Sequence, residues 1–496
     1  MRNRHIVNKM NKHLKIILIY GVAMQASLGA LAQSGFPSAP QSPAAPGIPP
    51  MILEEGVSEG VIIKEKGVSE GYVLISANGM KATYLINNDG FVVHHWNHQD
   101  VTGMSAYLLP SGNLVRSVRK STGEVGDTLQ VLSWDGEMIW EYVTDQAVQR
   151  IHHDIEPLPN GNILAIVWER IPMEEYVAAG RDPDTVPNDV LWLDTVHEIK
   201  PIGKTKGEVV WSWSPWNHLI QNFDEKRANY GDPAEYPNRI DLNQLREETG
   251  RFNKLADWLH INAVSYNPER DEIMLSSQAM SEVWVVSRKT GKLIYRCGNP
   301  RRYGKGAEKD RVLFNQHDSN TIGSGYRGEG NILLFNNVSH VVPGKAPCSS
   351  VLELKPPLAE SGEWPVLTED GIFSPCEVVW EYTGLPNANF YSPIYSSAQR
   401  LKSGGTLIGV GAPGKIIELD ASGKRVWEYV NPKVTGKVKL KKLEKWNALP
   451  PPPANAFFRA HKYAPDYPAF SGKDLLPKYV MGNAAPEAKA PLQSMP

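Results

Sequence analysis

The stretch Ile151-His152-His153-Asp154-Ile155-Glu156-Pro157-Leu158-Pro159-Asn160-Gly161-Asn162-Ile163-Leu164 decides how the chain is read. It describes a strand that opens with histidine, a Pro-Asn-Gly turn, and a second strand. Asn-Gly suits a tight hairpin because both central residues of a type I′ turn need positive φ. The frame recurs. His317-Asp318 runs into Gly328-Glu329-Gly330-Asn331-Ile332-Leu333, and a looser copy starts at Asp257-Trp258-Leu259-His260. Hairpins at Leu109-Pro110-Ser111-Gly112-Asn113-Leu114 and Leu401-Lys402-Ser403-Gly404-Gly405-Thr406-Leu407 bring the set to five.

A second motif alternates with the first: a turn, then a strand ending in aromatic residues. Its six copies end at His95-Trp96, Trp140-Glu141-Tyr142, Trp211-Ser212-Trp213, Ile294-Tyr295, Trp380-Glu381-Tyr382 and Trp427-Glu428-Tyr429. Two hairpins per unit make four strands, the content of one propeller blade. The pattern predicts an all-β fold, a six-bladed β-propeller over residues 51–481 with helical and loop insertions. Apolar runs such as Ile163-Leu164-Ala165-Ile166-Val167 suit strands covered on both faces. Since only five hairpins are of the His153 kind, the segment from Phe457 to Ala464 is expected to supply the sixth innermost strand and clasp the ring. Insertions fall at 171–187 and 214–256. In the longer one Asp241 with Gln244 approximates a capping box and Gly250 a helix stop, predicting a helix over 241–250.

The first 32 residues read as a signal peptide. Basic residues precede an apolar run from Ile16 to Leu31, and Ala30-Leu31-Ala32 supplies small residues for cleavage. Residues 33–50 form a Pro-rich linker and 482–496 a disordered tail of similar character. The protein is therefore expected to be exported, periplasmic or secreted, with no stable membrane insertion. A formal net charge of −2 leaves no electrostatic footprint for nucleic acid. Three cysteines, Cys297, Cys348 and Cys376, allow one disulfide and one free thiol, with the pairing open, or equally a set of buried thiols with no bridge. They lack metal-ligand spacing.

Aligning the hairpins on the residue before the turn places Met104, His153, His260, His317 and Ser396 at one repeat position. Innermost strands run along the central channel and begin at one mouth. Three histidines are thus expected to face a common space. His152 alternates away from His153, His94, His95 and His98 read as surface residues, and His461 sits within the clasp. Three imidazoles suit zinc or copper, or chemistry on an anionic group with one as nucleophile. Asp154 and Asp318 alternate to the opposite strand face and are poorly placed to hold the rings as metal ligands would require.

Together these motifs resemble the bacterial periplasmic aryl-sulfate sulfotransferases, which use no nucleotide donor. The resemblance runs from about Gly71 to Tyr429. It rests on His153-Asp154 with Leu158 to Leu164, on Asp257-Trp258-Leu259-His260-Ile261-Asn262 with Asp271 to Ser276, and on Gln316-His317-Asp318 with Gly330 to Asn337. It implies a six-bladed propeller in which His317 takes a sulfuryl group from an aryl sulfate and passes it to a phenol through a sulfohistidine. His260 and His153 would hold the sulfuryl oxygens or move the phenol proton, with no metal and no cofactor. One departure matters: better-known members carry arginine in a Ser-Ser-Arg run, and this chain reads Ser276-Ser277-Gln278. Gln278 and Asn262 are expected to contact substrate, and three outcomes of the departure are open: Arg301 or Arg302 supplies the missing cation, the site handles a different substrate, or activity is lost. The alternative is a non-catalytic propeller that binds a ligand or partner at the same mouth. A quinone-cofactor dehydrogenase would want adjacent cysteines and calcium-binding carboxylates, and neither arrangement is present.

Overall fold

A four-stranded repeat cannot cover both faces of its own sheet, so each unit must stack on its neighbours. The computed structural model describes residues 59–432 and 455–481, apart from 79, 121–125, 186–189, 246–255, 340–347, 366 and 385–389. Six antiparallel sheets form the blades of a propeller, as the repeat count requires. Their innermost strands are Phe457–Tyr463, Val101–Leu108, Gln149–Pro157, Ile261–Asn267, His317–Thr321 and Ser397–Arg400, in the first to sixth blades. The aromatic-ended copies are the outermost of the four repeat strands: Phe91–Asn97, Met138–Val143, Lys206–Trp213, Leu293–Cys297, Glu377–Tyr382 and Arg425–Val430.

The ring closes from both ends of the chain. Phe457–Tyr463 pairs antiparallel with Tyr72–Ala77, so the expected clasp strand is present. Gly60–Lys64 adds a fifth strand to the sixth blade by pairing with Arg425–Val430.

The aromatic ends are there because they tie blade to blade. Trp96 Nε1 donates to Ser133 O at 3.1 Å, Trp140 Nε1 to Lys206 O at 2.7 Å, and Trp211 Nε1 to Arg288 O at 3.0 Å. Tyr295 OH donates to Ser374 O at 2.7 Å and Trp427 Nε1 to Asn88 O at 2.8 Å. Tyr382 OH accepts from Arg425 Nη2 at 3.0 Å. An aromatic side chain buries a large apolar face between two sheets and carries a polar tip that reaches the next backbone. The strands between are apolar on both faces, with Leu164, Ala165, Ile166 and Val167 all buried.

The insertions fold differently from their sequence signals. The first carries the short helix Met173–Ala178. In the second, Asp241 ends a two-residue strand paired in parallel with Leu219–Ile220, and no helix starts there. Asp241 accepts from Asn243 N at 2.9 Å and from Gln244 Nε2 at 3.1 Å. The aspartate turns the backbone on itself, which competes with a helical start; residues 246–250 of the expected helix lie outside the described ones. All three cysteines are free thiols. His94 is not a surface residue but stacks on Trp134 between the first and second blades, with centroids 4.1 Å apart. The expected signal peptide, linker and tail also lie outside the described residues. No described helix is long and apolar enough to cross a membrane.

Candidate active site

Each of the first five innermost strands carries a bulge near its start. In the third blade Ile151 faces Val167 and Ile155 faces Ala165, so His152, His153 and Asp154 together oppose Ile166. The same irregularity falls at Thr102/Ala106, Ile261/Ala263, His317/Asn320 and opposite Ile75/Ala77. A bulge bends the strand and re-aims a side chain. Backbone strain marks these points: His153 has φ 52°, His260 φ 48° and Asp318 φ 57°. Such conformations cost roughly 1–3 kcal/mol each and persist where the surroundings over-determine them.

What fixes them is a ring of hydrogen bonds one blade long. Ser105 Oγ donates to His153 O at 2.7 Å, and Asp154 Oδ2 accepts from Val264 N at 3.1 Å. Asn262 Nδ2 donates to Gln316 O at 2.8 Å. Asp318 Oδ2 accepts from Ala398 N at 2.8 Å, and Ser397 Oγ from Ala460 N at 3.2 Å. In the second to sixth blades a polar residue one or two places after the mouth position thus holds the backbone of the next blade. This explains the His-Asp pairs, and it gives Asn262 a different contact from the one expected: its amide nitrogen clamps the carbonyl before His317.

The three histidines come together at the mouth. His153 and His260 meet edge to face with centroids 4.5 Å apart. Phe458 of the clasp lies 5.9 Å from the His153 ring and 6.2 Å from the His317 ring. His260 is the most open, with its side chain 22% exposed, while His153 and His317 are buried.

Each imidazole has a partner that sets its ring. His317 Nδ1 lies 2.7 Å from Asn337 Oδ1. The Asn337 amide is itself oriented, because Nδ2 donates to Ser392 O at 2.8 Å and Tyr395 O at 3.0 Å. Oδ1 can only accept, so the proton is on His317 Nδ1 and the lone pair is on Nε2. Burial, with His260 and Arg459 nearby, brings the His317 pKa down to about 3, so the ring is neutral near pH 7. His260 Nδ1 is hydrogen-bonded to Asp257 Oδ2, three residues earlier. His153 Nδ1 lies 2.8 Å from His152 Nδ1. His152 stacks on Trp168 with centroids 4.2 Å apart and places Nε2 3.2 Å from Asp194 Oδ1. His152 does turn away from the channel, but it reaches His153 because the bulge breaks strict alternation.

The remaining candidates divide. Gln278 lies next to His260, its backbone N–H donating to His260 O at 3.1 Å. Arg302 is buried and donates to Met280 O at 3.1 Å, Ala279 O at 3.0 Å, Leu245 O at 2.7 Å and Gln244 Oε1 at 3.2 Å. Arg301 is exposed and paired with Glu308. Their mapped contacts join loops and reach none of the histidines. Among the described residues no group of three His, Cys, Asp or Glu is arranged to hold a metal ion.

Sequence reading missed His152, Asn337, Asp257 and Arg459 as site residues. Asp257 had a signal, since it stands one helical-turn spacing before His260 in the quoted motif. Asn337 lay within another quoted run. Asp154 and Asp318 both engage Arg459 of the clasp strand.

No curated protein matches the chain in sequence. Among solved structures, a Bacteroides caccae protein of unknown function is 16% identical, covers 75% of this chain and 97% of its own, and superposes with a TM-score of 0.41. A functionally unknown protein from Desulfotomaculum acetoxidans is 6% identical over 72% of this chain and 95% of its own, with a TM-score of 0.37. A streptogramin B lyase is 10% identical over 76% and 89%, with a TM-score of 0.34. None of these bears on activity. The family model described as Arylsulfotransferase (ASST) matches residues 59–433, more than half of the sequence, and the chain belongs to the arylsulfotransferase family.

Proposed function

We propose that the protein is an exported aryl-sulfate sulfotransferase that works through a sulfohistidine at His317. One observation carries this reading: the fixed Asn337 amide leaves a neutral, buried imidazole with its lone pair on Nε2. In the first step Nε2 attacks the sulfur of an aryl sulfate, the N–S bond forms, and the S–O bond breaks with both electrons leaving on the phenoxide. In the second a phenol gives up its proton to a base, its oxygen attacks sulfur, and the N–S bond breaks to restore the imidazole. Splitting the transfer in this way replaces one hard displacement by two easier ones.

His260 is the base we assign to the second step. It is the most open of the three rings, and Asp257 fixes its orientation through Nδ1, leaving Nε2 for the substrate. His153, steadied by His152, and the Gln278 amide are assigned to the sulfuryl oxygens. The family resemblance supports aryl sulfates and phenols as substrates, and the basic-then-apolar N-terminal stretch supports export. No metal or cofactor enters this scheme.

A non-catalytic binding propeller is favoured by one observation. Gln278 brings no charge, while Arg302 donates to the Leu245, Ala279 and Met280 carbonyls and Arg301 pairs with Glu308. The test is purified protein with a chromogenic aryl sulfate and a phenol acceptor, beside His317→Ala. Transfer by the wild type that is lost in His317→Ala supports the enzyme. Transfer that survives the substitution removes His317 as nucleophile, and no transfer from the wild type across several donors favours the binding module.

A further inference from the structure

Arg459 lies on the clasp strand, beyond residues 59–433 that match the family model. It occupies the clasp residue after Phe458, the place that in other blades holds the tie to the next blade. Its guanidinium instead spans the channel. Nη2 lies 2.6 Å from Asp154 Oδ2, and Nη1 pairs with Asp318 Oδ1. These carboxylates directly follow His153 and His317. All three side chains are nearly solvent-free, at 7%, 0% and 4% exposure.

Resting on the sulfuryl-transfer reading, we infer that Arg459 is a positioning residue for that reaction: it locks the bulges that carry His153 and His317 and so completes the site only when the clasp strand closes the ring. Three features support it. The Asp154 carboxylate accepts from Tyr107 OH at 2.7 Å and Val264 N at 3.1 Å in addition to the ion pair, and Ser105 Oγ shares its one proton between Asp154 Oδ1 at 2.8 Å and His153 O at 2.7 Å, so the carboxylate is held from several sides. Asp318 itself holds a left-handed conformation that a free strand would abandon. A guanidinium fork meets two carboxylates at once, which an ammonium cannot do with the same geometry. The groups that act on His317 are Asn337, His260, Arg459 and the Asn315 backbone, and Asp154 and Asp318 pair with the arginine; removing the cation takes away a charge that holds the imidazole's pKa down.

The test uses the full chain with Arg459→Lys, Arg459→Met, and Arg459→Met combined with Asp154→Asn and Asp318→Asn. The last variant buries no unpaired charge and keeps acceptors for Val264 N and Ala398 N, so it is the one expected to fold even if Arg459→Met does not. Three quantities are read: kcat and KM for transfer across pH, and the rate at which an imidazole-acylating reagent modifies His317 and His153, located by peptide mass spectrometry. For the triple variant kcat is expected to fall about a hundredfold with KM within about threefold, the scale of loss when a reacting group is misplaced by about an ångström. Labelling of the two histidines should change several-fold. Arg459→Lys should recover part of kcat, and in Arg459→Met the acid limb of the rate profile should move to higher pH. A folded triple variant with wild-type kcat and wild-type labelling overturns the inference. If the wild type itself transfers nothing, the sulfuryl reading fails, and the labelling rates alone still decide whether Arg459 positions the two rings.

Discussion

Asn337→Asp separates the role of a single amide from the role of the fold around it. The substitution keeps an oxygen 2.7 Å from His317 Nδ1 and adds a negative charge there. In the native protein the ring is held at about 3 by burial, so it is neutral at pH 7. An opposite charge at hydrogen-bond range raises a pKa by roughly 1–3 units, each about 1.4 kcal/mol. His317 should then titrate at roughly 4–6. The new carboxylate also loses the two donations to Ser392 O and Tyr395 O, at 2.8 and 3.0 Å. Each carbonyl left without a donor costs about 1–3 kcal/mol, so a lower Tm is expected. The assay is kcat/KM for transfer from a nitrophenyl sulfate as a function of pH, on protein shown to be folded at each pH. The acid limb should move up by about 1–3 pH units while the plateau above it stays within about tenfold. An unmoved limb in folded protein refutes the assignment of His317, through Asn337, as the titrating nucleophile.

Four further outcomes follow from the same geometry. Burial, with the Asp154 charge beside it, lifts the Glu156 carboxyl to about 8 from its ordinary 4.5, so the native state keeps a proton that the unfolded chain releases. Stability is therefore lost as pH rises between those values, and Glu156→Gln should match the wild-type Tm near the lower one and exceed it above the upper one. Burial of His317 and partial burial of His461 hold both at about 3 against 6.5, so the unfolded chain binds more protons in that window; stability should fall as pH drops through it, seen as rising urea sensitivity. Gln278→Arg places a cation beside His260 and should raise kcat/KM about tenfold, the worth of ~1.4 kcal/mol from a charge-assisted bond; a fall would mean that the sulfuryl group does not sit there. Asp257→Asn should lower kcat about 10- to 100-fold with little change in the donor half-reaction, since it acts on the acceptor's base; equal loss in both half-reactions would contradict that division.

How much of this was legible in sequence depends on what each residue does locally. The blade count was readable because the tryptophans and tyrosines that tie outer strands recur in one local pattern. The clasp was readable as a shortfall, five hairpins against six aromatic ends. His153, His260 and His317 were readable because a repeat position fixes them in space. Of their partners Asp257 had a local signal, whereas His152 did not, for a physical reason: the bulge at the mouth breaks the two-residue alternation on which strand-face arguments rest. Alternation put His152 away from the channel, which is so, but it could not show Nδ1 reaching His153. Arg459 belongs to a strand that no sequence repeat aligns, and only ring closure brings it to Asp154 and Asp318. Asp241 gave a capping signal that its own hydrogen bond to Asn243 N turns into a loop. Arg302 looked available because sequence cannot count the carbonyls that a buried guanidinium already serves, and Arg301 because sequence does not show its exposed pairing with Glu308.

The most direct measurement mixes the protein rapidly with an aryl sulfate in the absence of any phenol acceptor, quenches in base to protect an N–S bond, and maps the sulfuryl group by peptide mass spectrometry. The expected result is a burst of about one phenol per protein molecule, as a covalent intermediate requires, with the sulfuryl group on His317 and chased off by added phenol. A sulfuryl group found on another residue, or transfer without any burst or adduct, would contradict His317 as the nucleophile.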